Sequence, residues 1–389
     1  MPASSPKYFD VNDAAARQNW EKDLYYNAIR QLGFMNPELG LVGPEKDKLC
    51  QTKATPFERG GTRATITAAI QSYPTLVRGN QTLKGRESGF ESPTFSYDIN
   101  IVRFSKKIDG EITGARVEWD VMATAKDLLA DEAVQVLEAG AMMQLTGFNI
   151  NADRDKEPFL QGADLAATIN NAPTTADSDH FVRMGGVATD ALVGANAALT
   201  MDVDDIMRLE VRARILPNPI RPVYIPALKR KAYILFVHPN VRQEWLTQGA
   251  QWYTIALAAL QGGDIDRNML VTGASGFIHN TLIVESAFMP PGIDSTSPVD
   301  NTRRFAFCGA QALTLGLPRE NEGSKTLNMF KLTDIKQVDD YGDKVGIGVK
   351  MFAGLAKPRF SITEGTTATT RDWGVIAGTS YAADLTGWS

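Results

Sequence analysis

The sequence predicts an α+β protein, a fold class in which helices and strands occupy separate stretches of the chain. Three observations support this prediction. Two alternating strand patterns flank a long polar connection at residues 71–94, and an unbroken helical pattern follows at 121–145. Several strand patterns then return after residue 230, without the regular strand–helix–strand alternation of a parallel sheet.

The first predicted element is a helix near the N-terminus. Apolar residues recur at three- to four-residue spacing from Trp20 to Leu32, and Gly33 can end the helix. The next stretch, residues 37–56, contains several glycines and prolines and is predicted to be rich in loops.

The second predicted element is a hairpin arm. Two stretches alternate between apolar and polar residues, which is the pattern of half-buried strands. Their apolar positions are Ala64, Ile66, Ala68 and Ile70 in the first stretch and Phe95, Tyr97, Ile99 and Ile101 in the second. A compact domain rarely keeps a connection as long as residues 71–94 without a use for it. A disordered surface loop is the alternative for that connection.

The longest predicted helix covers residues 121–145. Its apolar face comprises Val121, Ala125, Leu128, Leu129, Val136, Leu137 and Met143, and its outer face comprises Lys126, Asp127, Asp131 and Glu138. At about 1.5 Å per residue it would extend for almost 40 Å and set the long axis of the subunit. Gly147 is suited to end it.

Another helix is predicted to begin near Asp202, with Asp204 and Asp205 in its first turn. Carboxylates at a helix N-terminus are favoured by the helix dipole and cap free backbone N–H groups. A metal site is the alternative, but oxygen-ligand loops need more donors than these three residues supply.

The second half of the chain begins with a rigid, proline-rich connection between subdomains, which contains Pro217, Pro219, Pro222 and Pro226. Pro239 follows an apolar strand and is well placed to start a helix. Strands are predicted at residues 233–237, 269–272, 281–284, 305–315 and 345–352.

Composition argues against several classes of protein. The net charge of −5 and the lack of a dense Lys/Arg block disfavour a nucleic-acid binder, and Lys229, Arg230 and Lys231 are interpreted as a solvated strand end. Cys50 and Cys308 belong to no C-x-x-C pair and are expected to be reduced thiols. Neither a secretion signal nor a membrane span is predicted.

The strongest enzyme-like signal is the stretch 271–279, which resembles the T-G-x-x-G-x-x-G start of nucleotide-binding dehydrogenases. His279 replaces the third glycine of that motif, and the β-branched residues 281–284 predict a strand where the motif needs a helix. We therefore interpret Gly273 and Gly276 as part of a turn between strands. No catalytic residue, cofactor site or metal site is predicted.

Ordered motifs along nearly the whole chain resemble those of major capsid proteins from the N-four-type family of tailed phages. They are the G-x-x-x-L-x-G-x-E run from Gly79 to Glu87, the helix at 125–130, Leu145-Thr146-Gly147, Pro219-Ile220-Arg221-Pro222-Val223, the strand before His238-Pro239, Gly273 to Gly276 with Ile283-Val284-Glu285, and the C-terminal stretches 307–312, 348–360 and 371–376. Residues 153–188 and the C-terminal tail carry no such resemblance.

This resemblance implies the Hong Kong 97-type phage capsid fold, with four parts. They are an N-terminal arm and helix at 1–60, an extended loop at 61–104, a peripheral domain built on the long spine helix at 116–200 and 327–389, and an axial domain at 219–318.

The resemblance also implies a function without an active site. Such subunits form pentamers and hexamers that close an icosahedral shell around double-stranded DNA in the virion, after assembly in the host cytoplasm. The implied partners are other copies of the chain, a portal protein, a separate scaffold protein and a possible decoration protein, with no membrane and no sequence-specific DNA contact. The expected inter-subunit contacts are Gly79, Leu83, Lys84, Gly85, Arg86, Glu87, Phe90 and Glu91.

Two other functions are alternatives. One is an encapsulin-like shell that encloses a cargo enzyme, which the phage-type motifs disfavour. The other, from a different class, is an NAD(P)-dependent oxidoreductase that uses Gly273 and Gly276. A cross-link from Lys84 to a neighbouring subunit is disfavoured as well, because most lysines are simply solvated.

Overall fold

The body of the protein is formed by two seven-stranded sheets, with one long helix packed against both. The computed structural model describes residues 39–56, 63–68, 76–82, 84, 92–109, 121–148, 171–248, 277–294, 297–319, 330–332, 336–339, 344–364 and 367–384.

The first sheet is organised around one long strand. Its members are β1 (Val42–Gly43), β2 (Cys50–Pro56), β5 (Asn100–Asp109), β14 (Leu313–Arg319), β15 (Phe330–Leu332), β16 (Lys336–Asp339) and β17 (Lys344–Ala356). The strand order is β1-β2-β14-β17-β15, and β5 and β16 also pair with β17. The antiparallel ladder between β5 and β17 extends from Asp109 opposite Lys344 to Asn100 opposite Ala353.

The second sheet is mixed and has a buried centre. Its members are β6 (Phe181–Arg183), β7 (Val223–Ile225), β8 (Arg230–Val237), β9 (Phe277–Ile278), β10 (Thr281–Glu285), β13 (Thr302–Cys308) and β20 (Val375–Tyr381). The order is β6-β20-β13-β8-β10-β9, with β7 on β8. Strand β10 is parallel to β8, and β6 is parallel to β20. Strand β13 is buried along its whole length.

Three two-stranded pairs and four helices complete the regular structure described. The pairs are β3 (Arg63–Thr67) with β4 (Thr94–Asp98), β11 (Gly292–Asp294) with β12 (Ser297–Val299), and β18 (Arg359–Glu364) with β19 (Thr367–Asp372). The helices are α1 (Val121–Thr146), α2 (Asp190–Gly194), α3 (Val203–Ile215) and α4 (Pro239–Gln248). Short 3₁₀ turns occupy Met184–Gly186, Ala197–Leu199 and Pro226–Leu228.

Helix α1 confirms the predicted spine. Its C-terminal half is enclosed on all sides, from Ala139 to Thr146. Gly147 ends it at φ +68°, and the Phe148 N–H donates to the carbonyl of Met143 at 3.2 Å, which is the hydrogen bond of a Schellman cap. A Cβ at Gly147 would lie 2.2 Å from the carbonyl oxygen of Thr174, so the turn has no room for a side chain.

The alternation of β13 separates two hydrophobic cores on opposite faces of the second sheet. Phe305 and Phe307 lie with the buried side of α3, whereas Ala306 and Cys308 lie with α1 and the first sheet. Because successive residues of a strand point to opposite faces, α1 and α3 cover opposite sides of this sheet.

Four details differ from the predictions. Residues 50–56 were expected to be loop but form β2, which pairs in parallel with β14. The predicted strand 305–315 is two strands in different sheets, β13 and β14. Ile101 and Leu128, both expected to face inward, are exposed.

Glu138 also departs from its prediction. It was placed on the outer face of the spine, but its carboxylate accepts a hydrogen bond of 2.6 Å from the Ser286 hydroxyl. The carboxylate therefore joins α1 to the turn that follows β10.

The strand pairing cuts across the predicted domain ranges. Strand β14 comes from the range 219–318 but pairs with β2 and β17, and β20 comes from 327–389 but pairs with β13. The two sheets are therefore not formed by separate stretches of sequence.

Other predictions have mixed outcomes. Strand β8, the helix at Pro239 and strand β10 occur as predicted. Cys50 and Cys308 are free and buried, and burial raises the pKa of both thiols. The predicted helix before Gly33 and the strand 269–272 lie outside the described residues. In the described part, no helix is long and apolar enough to cross a membrane.

Candidate assembly surfaces

The described part of the extended loop is an antiparallel hairpin. Strands β3 and β4 pair from Arg63 opposite Asp98 to Thr67 opposite Thr94, and the N–H of Ala68 donates to the carbonyl of Pro93 at 3.1 Å. This pairing agrees with the alternating sequence pattern, which predicted two half-buried strands.

Two of the eight predicted contact residues lie within the described part of the chain. Gly79 sits in an exposed turn at φ +59°, where a Cβ would meet no other atom within 4 Å, and Lys84 is exposed. Leu83, Gly85, Arg86, Glu87, Phe90 and Glu91 lie outside the described residues. The predictions missed Leu76, whose side chain is 88% exposed on the same loop.

The base of the hairpin is held by an aromatic cluster, which we call the arm root. It joins Phe95 and Tyr97 of β4 to Phe360 of β18 and to Trp373. The ring of Phe360 lies edge-on to Trp373 at 5.3 Å between centroids and to Phe95 at 6.3 Å. Edge-to-face pairs of this kind stabilise a packed cluster beyond simple area burial. The arm therefore has a fixed base.

Buried charges lie beside the arm root. Lys357 Nζ donates to Asp372 Oδ2 at 2.7 Å, and both side chains are 0% exposed. The other carboxylate oxygen of Asp372 lies 2.7 Å from Arg359 Nε. Burial lowers the pKa of Lys357, and the charge and hydrogen bond of Asp372 oppose that effect. This ion pair closes the base of the β18–β19 hairpin.

Asp177 links this base to the loop before β6. Its carboxylate accepts hydrogen bonds from His180 Nδ1 at 2.8 Å and from the backbone N–H of Asp372 at 2.8 Å. Burial alone would raise the pKa of Asp177, but these hydrogen bonds and the His180 ring outweigh burial and hold the pKa well below its ordinary value.

We expect Asp177→Asn to destabilise the folded chain at neutral pH by about 1–3 kcal/mol, because the bonds to the charged form are lost. A depressed carboxyl pKa gives stability that is present above the unfolded value of about 3.9 and is lost as the pH falls below it. The difference in free energy of unfolding between the wild type and Asp177→Asn should therefore become smaller below about pH 4. Urea unfolding at a series of pH values measures it, and a difference independent of pH would contradict the assignment.

A second candidate surface, the α3 stripe, is formed by Met207, Val211 and Ile215. These residues are spaced one helical turn apart, on the side of α3 that faces away from the sheet, and are 40%, 54% and 74% exposed. Beside the stripe, α3 and the turn at Gly185–Gly186 border a groove of about 830 Å³. The predictions missed the stripe, although its spacing is visible in the sequence.

Two sets of polar side chains singled out in the sequence lie at the start of α3 and at the turn between β9 and β10. Asp202 and Asp205 form a reciprocal capping box at the start of α3, as predicted, and no group of three or more metal-binding side chains occurs in the described part. His279 stands at the turn between β9 and β10 at φ +49°, and its Nδ1 lies 2.6 Å from the buried carboxylate of Glu210. The turn predicted at Gly273 and Gly276 lies outside the described residues, and the turn between β9 and β10 is formed by His279 and Asn280.

Comparison with known proteins decides the family. A model of the family described as phage capsid protein matches residues 8–384, which is nearly the whole chain. This chain belongs to the phage capsid protein family. The family, the ordered motifs and the fold agree that the protein is a phage major capsid protein, and the resemblance inferred from the motifs is confirmed. No curated protein matches the chain.

Solved phage capsids show the same fold as this capsid protein. The capsid of Ralstonia phage GP4 has a TM-score of 0.70 at 22% identity, over 99% of this chain and 97% of that one. The capsid of cyanophage Pam1 has a TM-score of 0.63 at 14% identity, over 98% of both chains. The capsid of Helicobacter pylori bacteriophage KHP30 has a TM-score of 0.58 at 16% identity, over 89% of this chain and 90% of that one. The predicted Hong Kong 97-type α+β fold is confirmed.

The capsid assignment bears on both alternatives. The phage family model favours a virion shell over an encapsulin-like compartment. A dinucleotide site at Gly273 and Gly276 would need a helix after the second glycine, whereas the described residues that follow form β9, a turn and β10. The protein belongs to a family of structural proteins of the virion.

Proposed function

We propose that this capsid protein assembles as pentamers and hexamers into an icosahedral shell that encloses double-stranded DNA, and that its extended loop lies on a neighbouring subunit. The observation that carries the proposal is the β3–β4 hairpin with its fixed aromatic root and its exposed Leu76. An anchored base limits the directions in which the loop can extend, so less conformational entropy is lost when a neighbour binds it.

The neighbour contacts belong to the loop beyond the root. Gly79, Leu83, Lys84, Gly85, Arg86, Glu87, Phe90 and Glu91 are proposed to form them. This set contains two large apolar side chains, Leu83 and Phe90, among four charged ones, which suits a contact that buries a few apolar groups within a polar rim. Many such contacts, each weak, make a durable shell when they are engaged together.

The remaining partners follow from the same proposal. We infer that the shell assembles in the host cytoplasm with a portal protein and a separate scaffold protein, and that a decoration protein can bind outside. The chain carries a net charge of −5, so it is suited to surround DNA without binding its phosphates tightly. The division into a peripheral domain at 116–200 and 327–389 and an axial domain at 219–318 is also proposed.

Particle size tests the proposal. The purified chain, with and without the scaffold protein of its phage, is examined by light scattering and negative-stain microscopy. We expect closed particles from the wild type, and only small oligomers from a variant in which residues 70–91 are replaced by a short Gly/Ser linker. Circular dichroism of that variant checks that the body is folded. A wild type that stays monomeric under every condition would contradict the shell function, and particles of normal yield from the linker variant would contradict the role of the loop.

A further inference from the structure

The α3 stripe has no covering element in the described part of the chain, although α3 buries a full apolar face elsewhere. Ile206, Leu209 and Ala213 pack into the core against the second sheet, so the helix does not need the stripe in order to fold. Met207, Val211 and Ile215 form an additional apolar row on the opposite side. Exposed apolar rows of this kind mark surfaces that bind another protein.

The charges beside the stripe are positive except at its N-terminal end, where Asp204 is exposed and Asp205 pairs with Arg208 at 3.1 Å. Arg208 is 79% exposed and Arg214 is 57% exposed, whereas the carboxylate of Glu210 is buried against the β9–β10 turn. From Arg208 to the end of α3, the acidic side chain is therefore turned inward and the arginines face the solvent. A partner surface should be apolar at its centre and acidic around it.

Another exposed surface of this chain has that composition. We call it the α2 corner: Leu192 is 51% exposed, and Asp294 at the end of β11 and Asp300 directly after β12 are exposed as well. The carbonyl of Asp300 lies against Gly194 at the end of α2, and the N–H of Ile293 donates to Asp190 at its start, so both aspartates belong to segments that contact the helix of Leu192. Residues 187–200 and 291–302 contain no lysine or arginine.

The α3 stripe and the α2 corner lie on opposite faces of the second sheet. Asp190 of α2 pairs with Arg304 of β13, and Arg304 also donates to the carbonyl of Thr146 at the end of α1. The neighbouring Phe305 points to the other face, where α3 packs. A contact between the two surfaces therefore joins the front of one subunit to the back of the next.

We propose that the α3 stripe of one subunit binds the α2 corner of a second copy. Such a contact uses two different surfaces, and a contact of that kind produces rings when the rotation closes. We assign the partner as a second copy of this chain because the α2 corner has an apolar centre and acidic side chains around it, which complement the α3 stripe. This inference rests on the proposed shell function and names a subunit surface other than the extended loop.

Disulfide trapping tests the pairing directly. The double variant Val211→Cys with Leu192→Cys places one thiol on each surface, while the native Cys50 and Cys308 are buried, with raised thiol pKa values that keep them unreactive. Oxidation of assemblies of the double variant should give a ladder of linked chains on a denaturing gel, because each copy links to two others. Each single cysteine variant should give no ladder. No ladder from the double variant, or only linked dimers, would overturn the proposal.

A charge exchange provides a second test. Arg208→Glu and Asp300→Arg should each lower the particle yield at least about tenfold, which is about 1.4 kcal/mol. The double variant should recover most of the wild-type yield, because the opposite charges then face each other again. Unchanged particle yield in both single variants, or no recovery in the double variant, would refute the pairing while particles of the wild type still support the shell function. If the wild type forms no particles, both the shell function and the pairing of the α3 stripe with the α2 corner are contradicted.

Discussion

Asp372→Ala is expected to lower the free energy of unfolding of the subunit by about 3–5 kcal/mol, because it removes one partner of a buried ion pair. Asp372 and Lys357 are 0% exposed and joined at 2.7 Å, so the variant leaves the Lys357 ammonium enclosed without its counter-ion. Arg359 also loses its partner, but its side chain is partly exposed, unlike that of Lys357.

The pH dependence of the Asp372→Ala variant has a definite sign. Burial already lowers the pKa of Lys357, and loss of Asp372 removes the interaction that opposes this shift. A lysine whose folded pKa lies below its unfolded value of about 10.4 makes folding less favourable at lower pH. The destabilisation should therefore diminish as the pH rises from 7 towards 10.

Urea unfolding of the unassembled subunit, followed by circular dichroism, measures this effect. The control is the double variant Lys357→Met with Asp372→Leu, which removes both charges and replaces them by apolar groups of similar length. It should recover most of the lost stability, since a buried pair can often be replaced by apolar residues at little cost. A loss below about 1 kcal/mol in Asp372→Ala would show that water reaches Lys357 in solution.

Local sequence patterns predicted the strands and helices in which buried and exposed positions follow a regular spacing. Strands β3 and β4 alternate because one face of the hairpin is buried at the arm root. Strand β8 is continuously apolar from Ala232 to Val237 because both of its faces are covered there. Gly147 was identifiable because a helix end at positive φ favours glycine. At these positions the residue type is determined by its immediate surroundings, namely burial on one or both faces or a positive φ, and so it can be read from the local sequence.

Long-range pairing explains what the sequence could not predict. Strand β2 has polar residues and a proline, and it becomes a strand because β14, far along the chain, pairs with it from Cys50 opposite Leu313. The stretch 305–315 is mostly apolar and resembles one strand, but the chain crosses between sheets at Gly309–Ala312, where Gln311 has a φ of +59°. Residue type alone does not encode which sheet a strand joins.

Of the two candidate surfaces, one was predictable from the sequence and the other was not. The extended loop was predictable, because a long glycine-rich connection between two strands is unusual in a compact domain. The α3 stripe was not, because an apolar residue on a helix is equally consistent with a core on either side. Only the burial of Ile206 and Leu209 shows that Met207, Val211 and Ile215 face outward.

Phe360→Ala is expected to release the arm while the body stays folded. The Phe360 side chain is 1% exposed and contacts both Phe95 of the arm and Trp373. Removal of a buried phenyl ring costs about 3–5 kcal/mol when the cavity cannot collapse. Here the cost falls on the arm root, because the deleted ring joins β18 to Phe95 of β4.

Hydrogen exchange locates that loss. In Phe360→Ala, amides of β3 and β4 should exchange faster than in the wild type, because local opening of the hairpin needs less free energy. The matched control is Phe307→Ala, which deletes an equally buried ring that packs on Tyr233 in the core beside α3. It should leave protection of the hairpin unchanged relative to the body.

The same pair of variants connects the arm root to assembly. If a fixed root orients the loop towards a neighbouring subunit, Phe360→Ala should lower the particle yield more than Phe307→Ala does at equal loss of stability. Equal particle yields, together with equal exchange in β3 and β4, would show that the aromatic cluster serves folding alone. A loss specific to Phe360→Ala would mean that rigidity at the base of the arm, and not only the residues at its tip, determines how readily the shell forms.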